Sequence, residues 1–132
     1  MISLSGETFM TDSPVLLVED DDSIALIVEA ILSSAGQTID RAISADEALS
    51  LAAARAPSLI ISDLNLPGAL NGDALACKLR ETQPGLPVIL ISGDFEDASS
   101  RDDLVPGAVI LPKPFRRAAL IEAVEKARES AR

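Results

Sequence analysis

The sequence has no histidine, tryptophan or tyrosine, and only one cysteine. A lone thiol leaves no internal disulfide, and without imidazole or paired thiolates the chain lacks the donors that favour zinc. With aromatic residues at 2%, the core has to be aliphatic. Nowhere do about 18 apolar residues follow one another, and the N-terminus lacks both a basic start and an apolar stretch of signal length. A cytoplasmic protein with no membrane partner is therefore expected. Positive charge is also scarce, 11 Lys and Arg against 21 Asp and Glu, for a net charge of −10. Such a chain has no electrostatic footprint for a phosphate backbone, so direct nucleic-acid binding is not expected and long-range attraction favours cations or basic surfaces.

The chain is instead rich in short aliphatic runs. The 132 residues, 48% hydrophobic and 24% charged, suit one domain at 13–132 behind a flexible N-terminal tail at 1–12. Val15-Leu16-Leu17-Val18 reads as a buried strand that empties into Glu19-Asp20-Asp21-Asp22. Asp22 or Ser23 can cap the following helix, whose core stripe reads Ile24, Ile27, Val28, Ile31, Leu32 and Ala35, with Gly36 closing it in a left-handed conformation. A second strand at 38–44 and a helix at 45–56 precede Pro57, which a helix cannot easily pass. A third strand at 58–62 delivers Asp63. A loop with two glycines and Pro67 leads to a helix at 73–82, in which Cys77 reads as a small buried hydrophobe.

Val88 to Ile91 is the fourth strand, followed by Ser92-Gly93. The stretch 94–106 is weakly helical, crowded with Asp and Ser, and is expected to be the least stable part of the fold. A fifth strand at 109–111 and a helix from about 116 to 132 close the chain. Five buried strands alternating with five helices imply an α/β fold, a doubly wound parallel sheet in the order 2-1-3-4-5.

In such a sheet the carboxyl ends of the strands share one edge. They present Glu19 and Asp20, then Asp63, Ser92 and Lys113. Three carboxylates gathered there repel by about 4 kcal/mol per pair at an effective dielectric near 20, so the cluster needs a cation. Lys113 supplies one positive charge, and the oxygen-only surroundings suit Mg²⁺. Asp63 can then act as nucleophile toward a phosphoryl group, forming an acyl phosphate.

The stretches "VLLVEDDDSI", "LIISDLNLPG", "VILISG" and "LPKPF", in this order and spacing, resemble the receiver domain of two-component response regulators, which has a flavodoxin-like fold. The resemblance covers nearly the whole chain from Ser13. It implies that Asp63 is the phosphoacceptor, with Asp20 a direct Mg²⁺ ligand, Glu19 a ligand through water and Asn65 a ligand through its backbone carbonyl. Ser92 would be the switch hydroxyl, and Lys113 would pair with the phosphoryl group next to a cis bond to Pro114. Asn65 and Asp94 match positions that tune acyl-phosphate lifetime. Leu26 and Ala30, on the solvent side of the first helix, are candidates for docking a histidine kinase or histidine phosphotransfer protein.

Three features depart from the family. Ile110 stands where an aromatic switch residue is usual, and Val109, the other candidate for that position, is no more aromatic. The loop "LPGALNG" is about one residue longer than usual, and the fourth helix is poor in helix formers. The expected function is that of a phosphoacceptor in a phosphorelay rather than an enzyme turning over an external substrate. The chain would act on an unknown downstream protein, either alone or as the receiver of a larger kinase. The alternatives are a phosphorylation-independent binding module with a vestigial pocket, and a metal-dependent phosphatase. The amide Asn65 argues against the phosphatase, being a poor general acid beside the nucleophile.

Overall fold

The computed structural model describes residues 13–93 and 104–130; the expected tail and positions 94–103 lie outside the described residues. The strands are β1 (Val15–Val18), β2 (Ile39–Ala42), β3 (Leu59–Asp63), β4 (Val88–Ser92) and β5 (Val109–Pro112). They form one sheet in the order β2-β1-β3-β4-β5, with every neighbouring pair parallel. Four helices occur among the described residues: α1 (Asp22–Ser34), α2 (Ala45–Ala54), α3 (Gly72–Arg80) and α4 (Arg117–Ser130). The expected helix over 94–106 falls almost wholly outside them.

Alternate residues of each inner strand point to opposite faces, so a sheet covered on both sides needs continuous apolar runs. Leu16, Val18, Ile60, Val88 and Leu90 pack on one face against Ala45 and Ala48 of α2 and Leu75, Ala76 and Leu79 of α3. Val15, Leu17, Leu59, Ile61, Ile89, Ile91 and Leu111 pack on the other against Ala25, Val28 and Leu32 of α1 and Leu120, Ala123 and Ala127 of α4. Burying each large aliphatic side chain contributes roughly 1.5–3 kcal/mol, enough for an aliphatic core to carry the fold.

Several local expectations need correction. The cap of α1 is Asp21, not Asp22 or Ser23: its Oδ1 accepts from the N–H groups of Ser23 at 2.8 Å and Ile24 at 3.2 Å. In the α1 stripe Val28 and Leu32 are buried together with Ala25, and Ile24 and Ile31 pack partly buried against the same cluster, while Ile27 is 51% exposed. Ile27 stands one residue before Val28, about 100° around the helix, and so turns toward solvent. Ala35 is exposed because it is the C-cap, beyond the last full turn; Gly36 follows it with φ of 85°. Cys77 is exposed rather than buried, since the face of α3 turned to the core carries Leu75, Ala76 and Leu79.

Two contacts tie the start of α3 to the rest of the molecule. The Gly72 N–H donates to the Leu64 carbonyl at 2.9 Å, and a Cβ at position 72 would lie 2.3 Å from the Asp63 carbonyl oxygen and 2.9 Å from Ser62 Oγ. Asp73, buried, accepts the Val105 N–H at 2.7 Å and so anchors the chain ahead of β5. The backbone of α3 thus rests directly on the end of β3, where only glycine fits. Gly72→Ala should lower stability by roughly 3 kcal/mol by forcing α3 off β3, despite the better helix propensity of alanine. A urea midpoint unchanged from wild type would contradict that packing.

Candidate functional site

The carboxyl ends of β1 and β3 bring the acidic side chains together. β1 ends at Val18, but Glu19 stays under the protein surface: its N–H donates to the Ala42 carbonyl at 3.0 Å and its side chain is fully buried. Glu19 Oε2 accepts the Asp21 N–H at 3.2 Å, whereas Oε1 is buried with no hydrogen-bond partner among the described residues. Asp20 is exposed. Asp63, the last residue of β3, is buried, and both its carboxylate oxygens are held: Oδ1 by the Asn65 N–H at 2.9 Å and Oδ2 by Lys113 Nζ at 2.9 Å.

Lys113 follows β5, and its own N–H donates to the Ser92 carbonyl at 2.8 Å, which locks the two strand ends side by side. The Lys113-Pro114 peptide bond is cis. Ser92 closes β4, buried, one residue beyond the Ile91 that lies across from Asp63. The structure therefore gathers Glu19, Asp20, Asp63, Ser92 and Lys113 on one sheet edge. Asn65 reaches this edge through its backbone, with its side chain exposed. Asp94 lies outside the described residues.

Carboxylate oxygens of Glu19, Asp20 and Asp63 lie within 4.8 Å of one another. At that spacing each pair of charges repels by roughly 3–4 kcal/mol at an effective dielectric near 20. Burial pushes the Glu19 carboxyl up to about 7, with the Asp63 charge adding to the rise and the Asp21 amide and Lys113 opposing it. Burial alone would depress the Lys113 ammonium, but its hydrogen bond and charge pairing with Asp63, and the Glu19 charge, outweigh this and hold it above its ordinary value.

One ammonium does not balance three carboxylates. The partnerless Glu19 Oε1, the exposed Asp20 and the oxygen-only donor set fit a small hard cation such as Mg²⁺. Glu19, Asp20 and Asp63 are the residues that would hold it.

Beside Lys113 runs an apolar groove of about 420 Å³ lined by Ile24, Ile27, Gly93, Lys113, Pro114 and Phe115. Ile27 is thus a wall of this groove rather than a core residue. Leu26, 69% exposed, and Ala30, also exposed, sit on the solvent side of α1, as expected. Ile110 is half-buried, packed with Leu104 and Ala108 against the α2 and α3 side of the core. Three residues with a part in this region escape sequence reasoning. Gly72 and Asp73 read as a loop glycine and a helix start, and Arg41 of β2 as an ordinary strand residue. Each is identified by a contact distant in sequence, and none carries a local signal.

The Glu19 shift sets a pH dependence. A carboxyl whose folded pKa is raised from 4.5 to about 7 costs stability once ionised. The cost is absent below the unfolded value, grows as pH rises between the two and is complete above the folded one. Without divalent cation, Glu19→Gln should be more stable than wild type by roughly 3 kcal/mol at pH 8, and the gap should close toward pH 4.5. Urea denaturation of both proteins across that range checks this; a difference independent of pH would contradict it.

The model of the response regulator receiver domain family matches residues 15–125. The chain is 32% identical over 114 residues to the DNA-binding transcriptional regulator NtrC of Salmonella typhimurium, covering 86% of this chain and 24% of that protein. It is 34% identical over 117 residues to the sensor kinase CckA of Brucella abortus, covering 85% of this chain and 12% of that one. The chain thus spans a quarter or less of the length of these curated relatives. The crystal structure of the receiver domain of NtrX from Brucella abortus superposes with a TM-score of 0.76 at 36% identity, covering 88% of this chain and 98% of that one. Fold, strand order and family model agree: the chain belongs to the response regulator receiver domain family.

Proposed function

We propose that this receiver domain accepts a phosphoryl group on Asp63 from a phosphohistidine of a histidine kinase or histidine phosphotransfer protein, and passes the change to a downstream protein by altered contacts. The observation that carries this reading is the Asp63 carboxylate, buried and held at both oxygens by Asn65 and Lys113 beside two further acidic side chains. A carboxylate fixed in this way needs little reorganisation to attack phosphorus. In the transfer an Asp63 oxygen forms the new bond to phosphorus as the bond from phosphorus to the donor imidazole nitrogen breaks. Lys113, already at Asp63, can swing its ammonium onto a phosphoryl oxygen, and the buried Ser92 hydroxyl, at the neighbouring strand end, can donate to another.

Bound Mg²⁺ would supply charge neutralisation for the phosphoryl oxygens, held by Glu19, Asp20 and Asp63 with the Asn65 backbone carbonyl. Asn65 and Asp94 would set the lifetime of the acyl phosphate by orienting water. Leu26 and Ala30, with the groove bounded by Ile27 and Phe115, offer the phosphodonor an apolar face close to Lys113 in a cytoplasmic setting. Ile110 favours a second reading, a phosphorylation-independent binding module, because an aliphatic side chain there cannot follow a switch hydroxyl as an aromatic ring would.

One experiment separates these readings. Incubation with acetyl phosphate and MgCl₂, followed by intact mass measurement, should give a single phosphoryl adduct that does not form when the cation is chelated beforehand or in Asp63→Asn. Substitution of Asn65 or Asp94 should change the decay rate of the adduct without abolishing it. Absence of any adduct on wild type would support the binding module, and sustained turnover of acetyl phosphate would support a phosphatase.

A further inference from the structure

Arg41 of β2 lies on the strand beside β1, across from Leu17. Its guanidinium reaches past the end of β1: Nε and Nη2 both donate to the Glu19 carbonyl oxygen, at 3.1 Å and 2.9 Å. Nη2 also pairs with Asp22 Oδ1 at 2.9 Å; the Arg41 side chain is 23% exposed and that of Asp22 is 92% exposed. The Glu19 N–H is already bound to the Ala42 carbonyl. Both backbone polar groups of Glu19 are therefore tied to consecutive residues of β2, beyond the last ladder residue of β1. The acidic turn begins at this clamped peptide, with the partnerless Glu19 Oε1 and the exposed Asp20 carboxylate.

From this geometry we infer that Arg41 is a positioning residue for the divalent-cation site: it clamps the Glu19 backbone so that the Glu19 and Asp20 carboxylates stay aimed at Asp63. The inference rests on the cation-binding reading above and adds a residue outside the ligand set. A planar fork that places two donors on one carbonyl oxygen fixes direction as well as distance, and an ammonium on a flexible stem does not reproduce this. The partner Asp22 is almost wholly in water, so that ion pair holds little and is not what fixes the loop.

The effect has a sign that distinguishes it from electrostatics. Arg41 is a cation near an acidic cluster, so removing its charge alone should tighten binding of Mg²⁺. Removing a positioning clamp should weaken it, and outer contacts of this kind carry on the order of 10-fold or more in metal affinity.

The test is calorimetric titration of the full chain with MgCl₂, together with thermal unfolding in the absence of divalent cation to verify folding. Arg41→Ala should bind about 10-fold more weakly than wild type. Arg41→Lys, which keeps the charge and much of the bulk, should also be weakened, and Asp22→Ala should stay within about 2-fold of wild type. Should Arg41→Ala fail to fold, Arg41→Lys decides. A folded Arg41 variant binding as tightly as wild type, or more tightly, overturns the inference while leaving the cation-binding reading intact. Wild-type protein that binds no Mg²⁺ overturns both.

Discussion

The mutual repulsion of Glu19, Asp20 and Asp63 at the carboxyl edge of a parallel sheet is the constraint around which the rest of the molecule is arranged. The register places Val18 opposite Ser62, so the residues after β1 emerge beside Asp63 at the end of β3. Nothing in the aliphatic core asks for charge at this edge. Several elements hold this edge: Lys113 from the end of β5 and the Asn65 amide from the loop after β3 bind the Asp63 carboxylate, and Arg41 from β2 binds the Glu19 backbone carbonyl. Each comes from a different strand or loop, so the site exists only when the whole sheet is formed. Local acidity near a strand end is common; acidity held against burial, as at Glu19, costs stability.

Much of this architecture is legible in the sequence. Continuous runs such as Val15 to Val18 and Val88 to Ile91 mark strands buried on both faces. The parallel order then assigns Asp63, Ser92 and Lys113 to one edge with no further information. The strand order 2-1-3-4-5 and the left-handed Gly36 that ends α1 both agree with the residue pattern. The disagreements are physical in origin. Ile27 and Cys77 are apolar side chains one helical step away from buried neighbours, and apolar character alone does not say which of two adjacent residues faces inward. Asp21 caps α1 in place of Asp22 because in a run of acidic residues the backbone geometry, not the residue type, selects the cap. Gly72, Asp73 and Arg41 depend on contacts between segments distant in the chain, and no local pattern carries those.

The Asp73 carboxylate holds the Val105 amide, and Gly72, one residue earlier, lies against the Asp63 carbonyl. β3, the start of α3 and the approach to β5 are therefore mechanically continuous, with the aliphatic Ile110 in β5. In a family where the same domain is found within transcriptional regulators and sensor kinases, such differences are where a shared chemistry can be joined to different outputs.

The claim that the buried cluster is built for a divalent cation is tested most directly at Glu19 itself, by following its side-chain carboxyl carbon by NMR through a pH titration. Without divalent cation the carboxyl should titrate near 7, as its burial requires, and saturating MgCl₂ should move the transition well below that value. A Glu19 carboxyl that titrates in the ordinary carboxylate range and is indifferent to MgCl₂ would contradict both the electrostatic character of the site and its purpose.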